Sequence, residues 1–342
     1  MTRKSAAALA AVALAAPAAA QDAAPLFSSD EPIRLVIQAP LPDLMRNRDN
    51  RVPVQGMLTD PHGQQLPVQL ALRGITRRKA DTCDFPPLRV DFTTPPPATS
   101  LFAGQRRLKL VTHCRNASGF QQHVLLEYAA YRMFNVLSPK SFRVRLANID
   151  YVAPDRRPIA SRVGFFIEEL ADVARRNGTR EARAPDVFPA AYLSPLDSTR
   201  YALFQHMLAN HDWSMRAGPP GEECCHNAKM LGTQAPGQTI PVPYDFDYSG
   251  FVSAPYALPP SELRINSVRQ RLYRGYCMHN AAAPAAAAEF RAAKPQLIAA
   301  IASVPGLEPR TQQRAIGFIE PFFADIATDQ SLAAKVLNRC VR

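Results

Sequence analysis

The sequence predicts an α+β protein with two lobes, in which strands dominate the first half and helices the second. Short apolar or alternating runs, bounded by Pro, Gly and Asp, fill residues 31 to about 170. Beyond about residue 170 the apolar residues recur at helical spacing instead. The chain has 342 residues, which is long for a single hydrophobic core and therefore favours two lobes.

The strand-rich half contains one long helix. Strands are predicted over residues 33–37, 52–58, 68–72, 88–92, 107–112, 142–149 and 162–167. From 121 to 137 the apolar residues follow a helical period, which predicts a helix that ends before Pro139. The predicted order is therefore strands, one helix, and strands again.

The second half is predicted to be helical around a loop-rich middle. Helices are predicted over 198–210, 285–303, 310–326 and 330–339, with Ser198 or Thr199 as the N-cap of the first. The stretch 217–262 is rich in Pro and Gly, which is typical of long loops. The predicted divisions are a signal peptide (1–20), a flexible N-terminus (21–30), a strand-rich lobe (31–170) and a helical lobe (171–342).

The first residues have the order of a secretory signal peptide. Arg3 and Lys4 precede an alanine-rich stretch to about Ala16, and the small residues 18–20 follow before Gln21. This apolar run is shorter than the roughly 20 residues that a membrane-spanning helix needs. Prolines and charged residues interrupt the later stretch 281–302. We therefore predict secretion to the periplasm or beyond, with a cleaved signal peptide and no membrane span.

Charge and cysteine content narrow the class of protein further. The net charge is +11, but the arginines are scattered, and no basic run is interleaved with aromatic residues, so nucleic-acid binding is not predicted. The six cysteines indicate disulfides in an exported chain. Cys83 and Cys114 flank predicted strands of the first lobe and are the predicted pair. Cys224 and Cys225 are adjacent, a spacing that zinc sites rarely use.

Unusual polar residues cluster in the loop-rich middle. Asp212 follows a predicted helix, Asn227 precedes a short apolar run, and Asp245-Phe246-Asp247 follows the next such run. Phosphoryl transfer from ATP uses one carboxylate to orient or deprotonate the attacking hydroxyl. It uses an Asn and a second Asp to hold the metal ion.

The first half supplies the basic and acidic residues that such a site also needs. Lys109 lies in the middle of a predicted strand, and Glu127 lies in the helix that follows. A Lys in a strand can neutralise phosphates while a Glu on the next helix positions it. Charged residues among apolar neighbours need partners, so we expect Lys109 and Glu127 to pair.

With these motifs in this order, the chain resembles the atypical kinases of the CotH and HipA type over residues 65–255. Arg73-Gly74 with the strand 88–92 resembles their early strands, and 163–169 resembles the strand that leads to the hinge. The resemblance implies a two-lobed, protein-kinase-like fold with a strand-rich N-lobe and a helical C-lobe. It also implies ATP with Mg²⁺ or Mn²⁺, and γ-phosphate transfer to a hydroxyl of an unknown protein or small molecule.

The resemblance further implies a role for each candidate residue. These are Asp212 as catalytic base, Lys109 as phosphate contact with Glu127 as its partner, Glu168 as a nucleotide contact, and Asn227, Asp245 and Asp247 as metal ligands.

Three departures leave other functions open. The gap from Asp212 to Asn227 is 15 positions, where kinases usually have five. No Gly-x-Gly-x-x-Gly is present, and Arg89 competes with Lys109 for the phosphate position. One alternative is a catalytically inactive, kinase-like binding module of the periplasm. A second is a metal-dependent phosphoesterase that uses His211, Asp212, His226, Asp245 and Asp247.

Overall fold

A computed structural model describes residues 23–49, 52–183, 185–219 and 221–342. The predicted signal peptide and the first residues after it lie outside these ranges. The strands are β1 Ile33–Gln38, β2 Val54–Thr59, β3 Gln65–Leu72, β4 Leu88–Phe92, β5 Arg107–Val111, β6 Val144–Val152, β7 Pro158–Ile167, β8 Ala228–Gly232 and β9 Thr239–Pro243. The helices are α1 Leu41–Arg46, α2 Gln121–Leu137, α3 Leu170–Arg176, α4 Pro195–Met207, α5 Ala283–Ala302, α6 Pro309–Asp325 and α7 Asp329–Lys335.

The first seven strands form a closed barrel in the order β1-β2-β3-β4-β5-β7-β6. Neighbouring strands are antiparallel except β1 and β6, which pair in parallel from Ile33 with Ala147 to Gln38 with Val152. The inward side chains of β1, β3, β4 and β5 are buried, as alternation along a half-buried strand requires. The barrel therefore has a core of its own.

A second and larger core joins α2 to the C-terminal part of the chain. Helix α2 packs against the barrel strands β6 and β7 on one side and against α5 on the other. Helix α4 packs on α5, and the hairpin of β8 and β9 lies beside α4. Buried aromatic residues of three elements, including Phe134, Phe204 and Phe290, fill the space between them. Side chains of α2 therefore reach residues of the C-terminal part directly.

The prediction of a two-lobed, protein-kinase-like fold is wrong. The structure instead has a closed seven-stranded mixed barrel, a separate two-stranded sheet and helices, and its second half is not purely helical. Closure depends on the parallel pairing of β1 with β6, which joins residues more than 100 positions apart. Hydrophobic periodicity reports where strands lie, but it does not report which distant strand each one pairs with.

Local signals predicted individual elements better than the overall fold. The helix predicted over 121–137 coincides with α2. The prediction of Ser198 or Thr199 as the N-cap of the next helix is wrong, because α4 begins three residues earlier. Its N-cap is Ser194, whose side chain accepts a hydrogen bond from the Asp197 N–H, and Pro195 occupies the first helical position.

Three disulfides join the six cysteines. Cys83 is bonded to Cys114, which confirms the predicted pair, and Cys277 is bonded to Cys340 near the C-terminus. The adjacent Cys224 and Cys225 are also bonded to each other. Disulfides persist in oxidising compartments, so this pattern fits a secreted protein. Within the described ranges, none of the helices combines the length and apolar character that a membrane crossing requires.

Several histidines are buried with lowered pKa values, and the largest shifts, at His206 and His113, make the stability of the fold sensitive to acid. Burial, reinforced by the charge of Arg271, lowers the pKa of His206 from 6.5 to about 3. Burial and the charge of Arg162 lower the pKa of His113 to about 4. The unfolded chain binds protons at these positions below its own pKa of 6.5, whereas the folded chain does not. Their contribution to stability is therefore complete above pH 6.5 and is lost as the pH falls towards the folded pKa values.

We predict that His206→Gln reduces the loss of unfolding free energy at acid pH. Between the two pKa values of His206, the slope of unfolding free energy against pH should fall by up to about 1.4 kcal/mol per pH unit. Urea unfolding at a series of pH values measures this slope. The exposed His62→Gln is the control and should leave the slope unchanged. Equal slopes in the wild type and His206→Gln would contradict the assignment.

Candidate functional site

The hairpin of β8 and β9 brings two of the predicted site residues together. Asn227 immediately precedes β8, and one residue, Tyr244, separates the end of β9 from Asp245. Because Ala228 pairs with Pro243, the start of β8 and the end of β9 lie side by side. The Tyr244 N–H donates to the carbonyl oxygen of Asn227 over 3.2 Å, which extends this pairing to the candidate site residues.

Asp212 reaches the same place through a backbone pairing across the loop. Ser214 and His226 exchange two backbone hydrogen bonds of 2.9 and 3.1 Å. The Asn227 side-chain Nδ2 donates to the Asp212 carbonyl oxygen over 2.7 Å and to its Oδ2 over 3.0 Å. The long gap between Asp212 and Asn227 is thus closed at its base, and both side chains face each other.

Two of these residues have an unusual backbone conformation. Asn227 has a φ of 49° and Asp245 a φ of 63°, in the left-handed region that non-glycine residues rarely adopt. Asn and Asp tolerate this region better than other residues. Such conformations concentrate at functional sites, where the surrounding structure holds them in place.

His226 and Asp212 form a hydrogen-bonded pair. The His226 Nε2 lies 2.6 Å from Asp212 Oδ1, and both side chains are about one-third exposed. Burial alone would lower the pKa of His226. The hydrogen bond that His226 donates to Asp212, together with the charges of Asp212 and Asp245, outweighs burial, so the pKa of His226 is raised. Asp212 is therefore held in position from two sides, by His226 and by Asn227.

Three carboxylates meet beside this pair. Glu127 of α2, Asp245 and Asp247 each offer an oxygen, and these oxygens lie within 4.8 Å of one another. Arg77, in the loop between β3 and β4, binds all three. Its guanidinium lies 3.1 Å from Glu127 Oε2 and 3.2 Å from Asp247 Oδ2, and it also pairs with Asp245. We call Glu127, Asp245, Asp247 and Arg77 the acidic cluster.

The acidic cluster holds three carboxyl groups against the single guanidinium of Arg77. Burial raises the pKa of Glu127 to about 7, although the charge of Arg77 opposes this. Burial also raises the pKa of Asp247, whereas Arg77 and Arg73 outweigh burial at Asp245 and lower its pKa. Glu127 Oε1 is buried and has no hydrogen-bond partner among the described residues. Carboxylate oxygens are hard ligands of the kind that Mg²⁺ or Mn²⁺ prefers.

A cavity of about 510 Å³ connects the acidic cluster with the Asp212 pair. Asp212, Asn227 and Asp245 all line it, and so does Arg73. The Nη1 of Arg73 is buried without a hydrogen-bond partner among the described residues. An unsatisfied guanidinium nitrogen in a cavity wall is suited to bind an anionic group of a ligand.

Lys109 and Glu127 do not pair with each other, so this part of the prediction is wrong. Lys109 lies 3.3 Å from Glu169, while Glu127 is bound to Arg77. The register explains this, because Lys109 of β5 pairs with Ile167 of β7 and so lies next to the residues that follow β7. Burial lowers the pKa of Lys109, and the charges of Arg73 and Lys229 add to that effect.

The Glu168 side chain is not available to a nucleotide. It is fully buried, and the Arg176 guanidinium binds both its oxygens over 2.9 and 3.0 Å. The Arg143 backbone N–H donates to the same carboxylate over 2.9 Å. Glu168 therefore anchors α3 to the barrel, which corrects its predicted role as a cofactor contact.

Sequence reasoning missed the residues that hold the acidic cluster together. Arg77 stands in the run Arg77-Arg78-Lys79, which reads as surface charge. Tyr131 of α2 accepts a hydrogen bond from the Asp245 N–H over 2.9 Å, and Tyr256 donates to Asp247 over 2.8 Å. The sequence did contain one sign of a further basic residue. Several candidate acids that are buried together require more positive charge than Lys109 supplies.

Comparison with protein-family models finds no match to this chain, and comparison with curated proteins finds none either.

We predict that Arg77→Gln makes the stability of the protein depend on a divalent cation. Removing one partner of a buried ion pair typically costs about 3–5 kcal/mol, because the remaining charges lose their compensation. In EDTA the unfolding free energy should fall by about this amount. Added Mg²⁺ or Mn²⁺ should raise the unfolding free energy more in the variant than in the wild type, because the cation binds only the folded state.

The control for this prediction is Arg157→Gln, because Arg157 pairs with Asp155 on the surface and is 81 % exposed. Its unfolding free energy should change by less than about 1 kcal/mol. A loss in Arg77→Gln that no divalent cation reverses would show that the acidic cluster is not a cation site.

Proposed function

We propose that this cleft transfers the terminal phosphoryl group of ATP to a hydroxyl group with the help of Mg²⁺ or Mn²⁺. One observation carries the proposal: a carboxylate held as a base, Asp212, and a carboxylate pair, Asp245 and Asp247, open onto one cavity that Arg73 also lines. Phosphoryl transfer needs little covalent chemistry from the protein. It needs positioning and charge neutralisation, and this arrangement is suited to both.

Asp212 would orient the attacking hydroxyl and accept its proton. The hydrogen bonds from His226 and Asn227 fix the carboxylate, but each carboxylate oxygen retains a lone pair for the substrate. The hydroxyl oxygen then forms a bond to the γ-phosphorus as the bond to the bridging oxygen of ADP breaks. His226 is a positioning residue in this scheme.

Asp245 and Asp247 would hold the cation, with Asn227 beside them. The oxygen donor set and the unpartnered Glu127 Oε1 fit such an ion. When bound, the cation neutralises charge on the phosphates. Arg77 already supplies one positive charge to the acidic cluster, so the cation and Arg77 must share or exchange the carboxylates.

Positive side chains on the barrel side would receive the phosphates. Arg73 has a buried Nη1 without a hydrogen-bond partner among the described residues, and its charge acts on Lys109 along with that of Lys229. These residues supply charge of the sign that a triphosphate needs. The resemblance to CotH and HipA kinases concerns the same polar residues, although the fold differs. Export through the signal peptide predicted at residues 1–20 belongs to the same proposal.

The first test is the melting temperature of the oxidised protein with and without ATP and Mg²⁺ or Mn²⁺. A ligand at 100 times its Kd that binds only the folded state stabilises it by about 2.7 kcal/mol, so a clear rise is expected. Asp245→Asn should abolish the rise. The exposed Asp155→Asn is the matched control and should retain it.

A second variant separates binding from transfer. Asp212→Asn should keep the metal-dependent rise in melting temperature but lower the transfer rate by about 10²- to 10⁴-fold, as loss of a general base does. A rise without turnover on any acceptor would favour the inactive binding module. Release of phosphate from simple esters without nucleotide preference would favour the phosphoesterase, and no rise at all would contradict the proposal.

A further inference from the structure

A second cavity, of about 430 Å³, adjoins the first at the Asp212–His226 pair. The two cavities share Asp212, His226, Tyr248 and Pro219 as a common wall. A group bound in the second cavity would therefore meet the same carboxylate that faces the acidic cluster from the first. The size lies within the range of cavities that hold small ligands.

The wall of the second cavity is mainly apolar. Leu258, Pro260 and Val268 line it together with the indole of Trp213. Leu258 is 71 % exposed, which places it at the accessible side of the cavity. Burial of an apolar or aromatic group against such a surface is favourable. A small polar group would be stabilised much less.

The charged groups around this cavity are already engaged or exposed to water. Arg274 stacks 5.0 Å from the Trp213 ring and donates to the carbonyl oxygens of His211 and Trp213 over 2.6 and 3.3 Å. Glu262 is exposed. An anionic acceptor would meet the like charges of Asp212 and Glu262, and Arg274 is already engaged, so the cavity favours a neutral acceptor over an anionic one.

His211 adds one polar contact to the apolar wall. It is 5 % exposed and lines the cavity, and its Nε2 donates to the Gln270 carbonyl oxygen over 2.8 Å. Its Nδ1 has no hydrogen-bond partner among the described residues. A mostly apolar cavity with a few placed polar groups is typical of a ligand site.

We propose that the second cavity is the acceptor site and that it takes a phenol, as in the side chain of tyrosine, in preference to the aliphatic hydroxyl of serine. This inference rests on the proposed function, because it names the substrate class of the same site. The ring would lie against Leu258 and Val268 with its hydroxyl towards Asp212. The proton of the phenol passes to Asp212, the phenolic oxygen bonds to the γ-phosphorus, and ADP leaves with the electrons of the broken bond.

The single tryptophan of the chain makes the cavity directly observable. Trp213 lines the cavity, so its fluorescence, excited where tyrosine does not absorb, reports occupancy without any nucleotide. We expect a saturable change on titration with N-acetyltyrosinamide, and a Kd for N-acetylserinamide that is about tenfold higher or more. Leu258→Asp should raise the Kd of the tyrosine probe about fivefold or more, since apolar contact is lost.

The control variant is Met278→Asp, because Met278 is 60 % exposed and lines neither cavity. Its Kd for the tyrosine probe should match that of the wild type. Equal responses to both probes, or equal Kd values in Leu258→Asp and the wild type, would overturn the phenol site.

Transfer from ATP to the same two probes separates this inference from the proposed function. Faster transfer to the tyrosine probe supports both. A selective Trp213 response without transfer to any acceptor overturns phosphoryl transfer and still supports the phenol site. Transfer to the serine probe without a Trp213 response to tyrosine overturns the phenol site and leaves phosphoryl transfer in place.

Discussion

The contact of Arg77 with three carboxylates ties together parts of the chain that are far apart in sequence. Arg77 belongs to the loop between β3 and β4, Glu127 to α2, and Asp245 and Asp247 to the segment after β9. The disulfide from Cys83 to Cys114 links the Arg77 loop to the segment after β5. Without the guanidinium, carboxylates would be buried together uncompensated, which is costly in a protein interior. This contact therefore acts together with the apolar packing of α2 to fix the barrel against the C-terminal part.

The same contact shapes what the cleft can do. In most cation sites the carboxylates contact only the ion. Here the Arg77 guanidinium already binds the same carboxylates. Glu127 and Asp247 still have raised pKa values because burial outweighs the help of Arg77, so the acidic cluster retains an affinity for further positive charge. Asp212 lies next to the acidic cluster and accepts hydrogen bonds from His226 and Asn227. It lines both cavities. In the proposed mechanism, Asp212 links the phosphate side of the cleft to the acceptor side.

Sequence patterns predicted the local parts of this arrangement and failed on its long-range parts. The positions of Asp212, Asn227 and Asp245 relative to a helix and two strands followed from local spacing. The β8–β9 hairpin brings Asn227 and Asp245 together, and the backbone pairing of Ser214 with His226 adds Asp212. The partner of Glu127 was wrong because strand register, which spacing does not reveal, turns Lys109 towards Glu169. Barrel closure was missed for a similar reason, since β1 and β6 pair across most of the first half.

The most direct test of the central claim is anomalous diffraction from crystals grown with Mn²⁺ and a non-hydrolysable ATP analogue. We expect a manganese peak bound to the carboxylates of Asp245 and Asp247, with the phosphates between that peak and Arg73. The terminal phosphate should face Asp212. A cleft without manganese, in crystals that hold the analogue or the ion elsewhere on the surface, would contradict the account.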